Sequence, residues 1–387
     1  MTRLLLRTAV VTALALGALG PARPALAASS DGVHTLRVPD GDPHDRALAP
    51  RTTEPFSLLG ITWDDPHEAL DGTAHVRTRS RDSGAWSAWR PLETDARMPE
   101  TGPDRARAGV RGATQPLWAG PSDGVQVRVS GERLPEGLRV ELVDPDGGPD
   151  HAVHVVEPGV VPPAAGPLAP DRPAVTDRSA WGADESLVKD PPTYTGDTKA
   201  VFVHHTAGTN DYACSESASI VRGVFLYHVM SNGWNDIGYH FLVDKCGTVF
   251  EGRAGGIDKP VLGAHAYGFN TDTSSVSVLG DYSAMTANAA VRESVAKVAA
   301  WKLGLYGIDP TGTVVLTAGA DNGKYELGEK VTMHRISGHR DGYPTECPGQ
   351  HLYDDLPQIR TLAGDAGNPT EPAPPQTDPF APEPSGR

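Results

Sequence analysis

Between residues 157 and 173 the chain carries Pro158, Pro162, Pro163, Pro167, Pro170 and Pro173, with small residues between them. Each proline fixes its own φ, lacks a backbone donor and pushes the preceding residue towards an extended conformation. Neither a helix nor a central strand can run through such a stretch, so it reads as an extended linker. The chain must therefore fold as two units, one on each side. At 387 residues it is long enough for both to bury a core.

The unit before the linker shows the period of two that marks half-buried strands. Val125 to Val129 and Leu138 to Leu142 alternate apolar and polar residues, and Phe56 to Trp63 and His75 to Arg79 read as further strands. Residues 56–156 are predicted to form a small all-β domain, a sandwich or barrel. Residues 28–55 are polar and rich in Asp, Pro and Arg, and are predicted to be disordered. Trp86 and Trp89 admit two readings. They are either a sugar-stacking pair or aromatics at a strand end with at least one in the core.

The first 27 residues have Arg3 and Arg7, an apolar run from Ala9 to Leu19, and Ala25-Leu26-Ala27 at their end. This is the pattern of a secretory signal, with an uncleaved anchor as the competing reading. No later stretch is apolar enough for a membrane span. Removing residues 1–27 takes three arginines and no acid, and moves the formal charge from -15 to -18. A chain this acidic is a poor nucleic-acid binder, because phosphates need basic surface. The tail 365–387 holds seven prolines among polar residues and is predicted to be disordered.

The unit after the linker, residues 177–364, alternates strand and helix patterns. Strands are predicted at Lys199 to His204 and Ser275 to Gly280, and a hairpin at Tyr239 to Asp244 with Thr248 to Glu251. Helices are predicted at Ser217 to Met230 and at Ala287 to Leu305, the latter capped by Thr286. Val314 to Leu316 and Lys330 to Met333 read as a small inserted hairpin. The expected fold is α/β, a mixed sheet flanked by helices.

Two segments carry chemistry. The strand Val201-Phe202-Val203-His204-His205 ends on two imidazoles, and His339 and Cys347 stand eight positions apart in Gly338 to Gly349. Two imidazoles and one thiolate suit a catalytic zinc, which takes three protein ligands and leaves a fourth position for water. Successive side chains of a strand point to opposite faces, so only one of His204 and His205 can serve. The cysteine count of three is odd. In an oxidising compartment a disulfide leaves one thiol over. An inert buried thiol at Cys347 is the reading that competes with a ligand.

In order along the chain stand Arg178-Ser179-Ala180-Trp181-Gly182-Ala183, Phe202 to Ala207, Gly233 to Phe241, Glu251-Gly252-Arg253, Gly263-Ala264-His265, and Gly338 to Asp341 with Cys347-Pro348-Gly349. Together they resemble the peptidoglycan recognition protein family, which includes zinc-dependent N-acetylmuramoyl-L-alanine amidases. The resemblance covers about Asp177 to Leu362 and is of a secreted actinobacterial type. It implies Zn(2+) held by His204, His339 and Cys347, with His205 in a packing or supporting role. It implies that Tyr239 assists catalysis, with a core tyrosine whose hydroxyl is bonded as the competing reading, and places Thr345 where phage members carry a lysine. Thr345 is therefore a candidate for the second polarising group, although a hydroxyl supplies no charge. His265, Trp234, Arg253 and Asn270 are implied as substrate-groove residues, with Asp236 and Tyr267 as weaker candidates. For His265 a solvated loop position competes, and for Trp234 a place in the core. Asp341 is expected to orient His339, with a salt bridge to Arg340 or a neighbour as the competing reading. Cys214 and Cys246 are assigned to the disulfide and Cys347 to the metal.

The activity implied is hydrolysis of the amide between N-acetylmuramic acid and L-alanine. Peptidoglycan is the expected partner, and the protein is expected to be a secreted monomer, free or wall-associated. With this acidity, wall binding would rest on specific contacts rather than net charge. The alternative is a peptidoglycan-binding protein without catalysis, since some family members lack the metal cysteine; Cys347 is present here. A zinc protease of the His-Glu-x-x-His class is disfavoured because that helix motif is absent from the sequence.

Overall fold

The computed structural model describes residues 32–147 and 170–367. The signal segment 1–27, residues 157–169 of the linker and the tail beyond residue 367 lie outside the described residues. No helix among the described residues is long and apolar enough to cross a membrane.

The first unit is an antiparallel sheet. Its strands run in the order Val33–Arg37, Arg139–Val143, Asp45–Trp63, Leu117–Arg133, Asp71–Ser80 and Arg90–Leu92, with Gly112–Ala113 paired to Asp45–Trp63. The alternation in Val125, Val127 and Val129 buries these three side chains with Phe56, Leu59, Ile61, Val76 and Leu142. The expectation of disorder over 28–55 is corrected. Residues 33–37 and 45–63 are strands, and the domain therefore starts near Val33 rather than Phe56. The cause is pairing: Val33 to Arg37 lies along Arg139 to Val143, and Asp45 to Leu48 along Val127 to Ser130, so polar residues sit on an outward face. Trp86 and Trp89 are half-buried against arginines. Arg77 lies 5.3 and 5.2 Å from the two ring centroids, and Arg128 lies 4.5 Å from that of Trp89.

The second unit is a mixed sheet in the order Ile336–Gly338, Ala200–His205, Thr273–Val278, Phe241–Val243, Val249–Glu251 and Val175–Thr176. The pairings are parallel except for the hairpin Phe241–Val243 with Val249–Glu251. Ala200–His205 is central and buried at every position, which is why it reads as a continuous apolar run before its histidines. Val201 and Val203 pack towards the helices Ala289–Gly304 and Leu356–Gly367. Ala200 and Phe202 face the opposite side, with Ala266, Phe269 and Leu316. His204 therefore emerges on the Phe202 side, as the strand period requires.

Helix Ser217–Leu226 continues into a π-helical turn, Tyr227–Ser231. Helix Ala289–Gly304 is capped by Asn288, whose Oδ1 accepts from the Val291 N–H at 3.0 Å. That corrects the expected Thr286 cap: the Thr286 hydroxyl instead pairs with His351 Nδ1 at 3.1 Å. Strands Thr313–Thr317 and Lys330–His334 form the separate hairpin expected. Cys214 and Cys246 form the disulfide, joining the turn before helix Ser217–Leu226 to the turn of the sheet hairpin.

The linker does not separate two independent bodies. Leu58, Trp118, Val33 and Val143 of the first unit share one buried cluster with Trp181, Ile220, Val224, Phe225 and Tyr227 of the second. Tyr227 donates towards the carbonyls of Ile61 and Thr114 at 3.3 and 3.1 Å. A Cβ at Gly60 would stand 2.2 Å from that hydroxyl, so the close approach of ring and sheet requires glycine.

Candidate metal centre

The centre lies at the carboxyl ends of the parallel strands Ala200–His205 and Ile336–Gly338, the usual place for a site in an open α/β sheet. His204 sits at the end of the first strand. His339 opens a short helix whose preceding N–H, on Gly338, donates to Asp341 Oδ2 at 2.9 Å. The chain then turns through Tyr343-Pro344 and brings Cys347 back beside the strand. There Cys347 Sγ accepts from the His205 N–H at 3.5 Å and stands 3.8 Å from His204 Nδ1.

One ligand atom each from His204, His339 and Cys347 lies within 4.8 Å of the others, and all three residues are buried. His204 Nε2 and His339 Nδ1 have no hydrogen-bond partner. Burial holds His204 well below the usual imidazole range, helped by the neighbouring imidazoles of His339, His265, His205 and His240. Burial also lowers His339 to about 4, although Asp95 pulls the other way. Both rings are neutral at physiological pH, which is the form that ligates a metal. Burial pushes the Cys347 thiol up, with Glu93 and Asp95 adding to the effect. A coordinated dication reverses that logic, because it deprotonates a thiol outright. Orphaned buried nitrogens, neutral imidazoles and a thiol form a donor set that fits zinc.

Around this floor the structure gathers the other residues singled out from the sequence. The Tyr239 ring centroid is 5.3 Å from that of His204, and burial raises its phenol well above the usual value. His265 is 5.3 Å from His204 by ring centroids, and neither of its ring nitrogens has a partner. Its solvated-loop reading is set aside, since it is buried. Gly263 makes room for it, since a Cβ there would stand 2.6 Å from the His265 ring and 2.5 Å from that of His240. Thr345 Oγ1 accepts from the Cys347 N–H at 3.0 Å and donates to Asp95. His205 points away from the trio: its Nε2 is 3.0 Å from Glu93 Oε1 and its Nδ1 accepts from the Tyr282 N–H.

Three expectations change. Asp341 does not orient His339; its oxygens take the Gly338 N–H and the Tyr353 hydroxyl. Arg253 and Asn270, expected to line an open groove, are buried against side chains of the first unit. Arg253 forms a paired contact with Asp104 at 2.9 and 3.2 Å, and Asn270 donates to Glu100 from its backbone at 3.1 Å and its side chain at 2.6 Å. Trp234 is covered as well, in a cluster with Met98, Val110 and Ala264. Asp236 is buried on Arg178 at 3.1 Å, and Tyr267 is half-buried beside Tyr343.

The covering segment, residues 93–111, is what sequence reasoning missed. It carries no motif. Its one signal is negative: a charged stretch with Pro91, Pro99 and Pro103 interrupts the strand alternation of the first unit, and long irregular loops in compact domains are commonly functional. The space left beside Tyr239, His265 and His339 is about 10 Å³. A larger cleft, of about 710 Å³, reaches Asp95 and Thr345 and is lined by none of the three ligand residues.

Residues 194–350 match the profile of the N-acetylmuramoyl-L-alanine amidase family. Residues 24–159 match a profile described as Rv3811 N-terminal galactose-binding domain-like. The fold is accordingly a galactose-binding-like β domain followed by an amidase-type α/β domain. Peptidoglycan-recognition protein SC2 of Drosophila simulans and of Drosophila melanogaster are each 28% identical over 184 residues, which is 47% of this chain and 84% of theirs. Peptidoglycan recognition protein 3 of Homo sapiens is 34% identical over 122 residues, 32% of this chain and 34% of its own. Among solved structures, wild-type Drosophila PGRP-LB is 25% identical, over 47% of this chain and 91% of that one, with a TM-score of 0.38.

Proposed function

From the premise that the chain belongs, through residues 194–350, to the family of N-acetylmuramoyl-L-alanine amidases and peptidoglycan recognition proteins, we propose that it is a zinc-dependent amidase. It cleaves the amide between the lactyl group of N-acetylmuramic acid and L-alanine of peptidoglycan. The observation that carries this reading is the convergence of His204, His339 and Cys347, from strand, helix start and loop, with Tyr239 and His265 beside them.

The metal would be held by those three residues. When bound it supplies a polarised carbonyl and a water whose pKa falls to about 7. The chain's own groups do the rest. The His205 N–H donates to Cys347 Sγ and favours the thiolate. Thr345 holds the Cys347 N–H and so positions the ligand loop; this is a supporting role rather than a charge-supplying one. Tyr239, kept protonated by burial, is a hydrogen-bond donor for the oxyanion that develops at the scissile carbon. His265, neutral and unpartnered, offers one donor and one acceptor to the sugar or the peptide. Secretion follows from the signal pattern of residues 1–27, and the Cys214–Cys246 bridge suits an oxidising compartment.

The test is digestion of purified peptidoglycan by zinc-loaded full chain. The expected result is new L-alanine amino termini without new reducing sugar ends, with about one zinc per chain lost, together with the activity, in Cys347→Ser. Peptidoglycan binding without any new amino terminus would replace this reading by a recognition protein. New reducing ends would make the chain a glycosidase.

A further inference from the structure

Segment 93–111 runs directly over the metal centre, tied at one end by the pairing of strand Arg90–Leu92 with Asp71–Ser80 and at the other by Gly112 opposite Trp63. Between these ties its side chains take the polar groups of the amidase-type domain in sequence. Glu93 meets His205, and Asp95 takes the Thr345 hydroxyl with its Oδ2 3.9 Å from His339 Nδ1. Arg97 donates to the Tyr343 hydroxyl at 2.8 Å, and Glu100 takes Asn270. Asp104 takes both terminal nitrogens of Arg253 and the Asn235 N–H. Arg107 reaches Asp190 at 2.8 Å and the Gly233 carbonyl at 3.2 Å. The residual cavity of about 10 Å³ holds at most one water, whereas ligand pockets measure about 300–1,000 Å³.

Resting on the amidase-site reading above, we propose that residues 93–111 are an autoinhibitory latch. In the closed state the latch occupies the muramyl-peptide groove and seals the metal centre, and the site works only when the segment lifts. The segment lifts alone, without the β domain that bears it. That domain is fixed by the buried apolar cluster of Leu58, Trp118, Phe225 and Tyr227, while the latch is held mainly by hydrogen bonds and ion pairs that water or a polar ligand replaces. Latch and ligand compete, so the apparent affinity of the groove is its intrinsic affinity reduced by the fraction of chains that are open.

Binding of a soluble muramyl tripeptide to the zinc-loaded full chain, with hydrogen exchange read over residues 93–111, tests this. Asp104→Ala leaves Arg253 without its carboxylate and is expected to tighten the apparent Kd at least tenfold. Arg107→Ala, at the half-exposed edge, is expected to tighten it a few-fold and guards against a folding defect in the first variant. Both should speed exchange over 93–111 without ligand, and the tripeptide should do the same in the unaltered chain. Weaker binding in the two variants, or tripeptide bound with 93–111 still protected, overturns the latch. Because binding and exchange are read without cleavage, a chain that opens and never hydrolyses refutes the amidase reading alone. One that hydrolyses with 93–111 protected refutes the latch alone.

Discussion

The β domain and the amidase-type domain touch in two places, and the two contacts are built from opposite materials. Where helix Ser217–Leu226 and Tyr227 meet the sheet, Leu58, Trp118, Val143, Val224 and Phe225 interlock in a buried apolar cluster, joined by bonds from the Tyr227 hydroxyl to the Ile61 and Thr114 carbonyls and from Arg222 to the Pro145 carbonyl and Asp146. Over the metal centre the contact is Glu100 on Asn270, Asp104 on Arg253 and Arg107 on Asp190, with Ala96, Met98 and Val110 adding apolar surface. Separating the first contact exposes hydrocarbon to water and gains nothing in return. Separating the second exchanges protein partners for water, so the net worth of each hydrogen bond is only about 0.5–1.5 kcal/mol. Under the proposed latch, one chain can therefore hold its domains together permanently and still uncover the site of His204, His339 and Cys347.

The largest expected effect breaks the apolar contact. Phe225 is fully buried, with its ring centroid 5.7 Å from that of Trp181. Phe225→Ala should cost about 3–5 kcal/mol. Because the cluster is shared, both domains should unfold in one transition that shifts as a whole in urea, followed by circular dichroism. Two transitions, with only one moved, would mean that the domains are thermodynamically separate and that the whole β domain can swing away. A chain cut back to the amidase-type domain would expose this cluster and is expected to be less stable than the full chain.

A smaller effect concerns what braces that contact from behind. The Cys214–Cys246 bridge, with a sequence separation of 32, fixes the turn that starts helix Ser217–Leu226. Replacing both cysteines by serine should cost about 2–4 kcal/mol. If the bridge serves the apolar contact, urea unfolding should move to lower concentration while exchange over 93–111 in the native state stays as slow as before. Faster exchange there would tie the latch to the helix and blur the distinction between the two contacts.

The same contrast decides what could be read in advance. The metal floor was legible because regular structure constrains it. The strand period put His204 and His205 on opposite faces, and the Gly338 to Gly349 turn returned Cys347 to the strand. The strands and helices expected in the second unit lie within a few residues of those observed, since buried parallel strands and long amphipathic helices impose clear periods, but helix Leu356–Gly367 and the short strands Ile336–Gly338 and Val175–Thr176 were not expected. The cover was not legible. Its partners are 83 to 250 positions distant, as Arg107 is from Asp190 and Asp95 from Thr345, and single charged residues in a loop carry no period that reveals whom they meet. The strand Val33–Arg37 was missed for a related reason: an edge strand with one polar face resembles a disordered segment until its partner Arg139–Val143 is known.

Acid offers the finest probe of the difference. His228 and His240 are fully buried near Tyr239 and His265, and burial lowers each to about 3. Unfolded, an imidazole titrates near 6.5. Between 6.5 and about 3 the unfolded chain binds these protons and the folded chain does not, so stability is complete above pH 6.5 and falls as pH drops through that window. The slope is about 1.4 kcal/mol per pH unit for each group. Asp104 titrates elsewhere. Burial raises its carboxyl, but Arg253 and the Asn235 N–H together outweigh that and hold it below the ordinary 3.8, so its pairing persists until the pH is lower still. Urea unfolding at pH 7, 6, 5 and 4 should thus show a steadily falling midpoint, while exchange around Asp104, corrected for its intrinsic pH dependence, stays slow; burial raises the Glu93 carboxyl, so that end of the segment is the first to lose its charge. His240→Gln should flatten the slope by roughly the share of one imidazole. A midpoint independent of pH would show that these rings reach water. Protection around Asp104 lost already at pH 5 would show that Asp104 and Arg253 are not what closes the site.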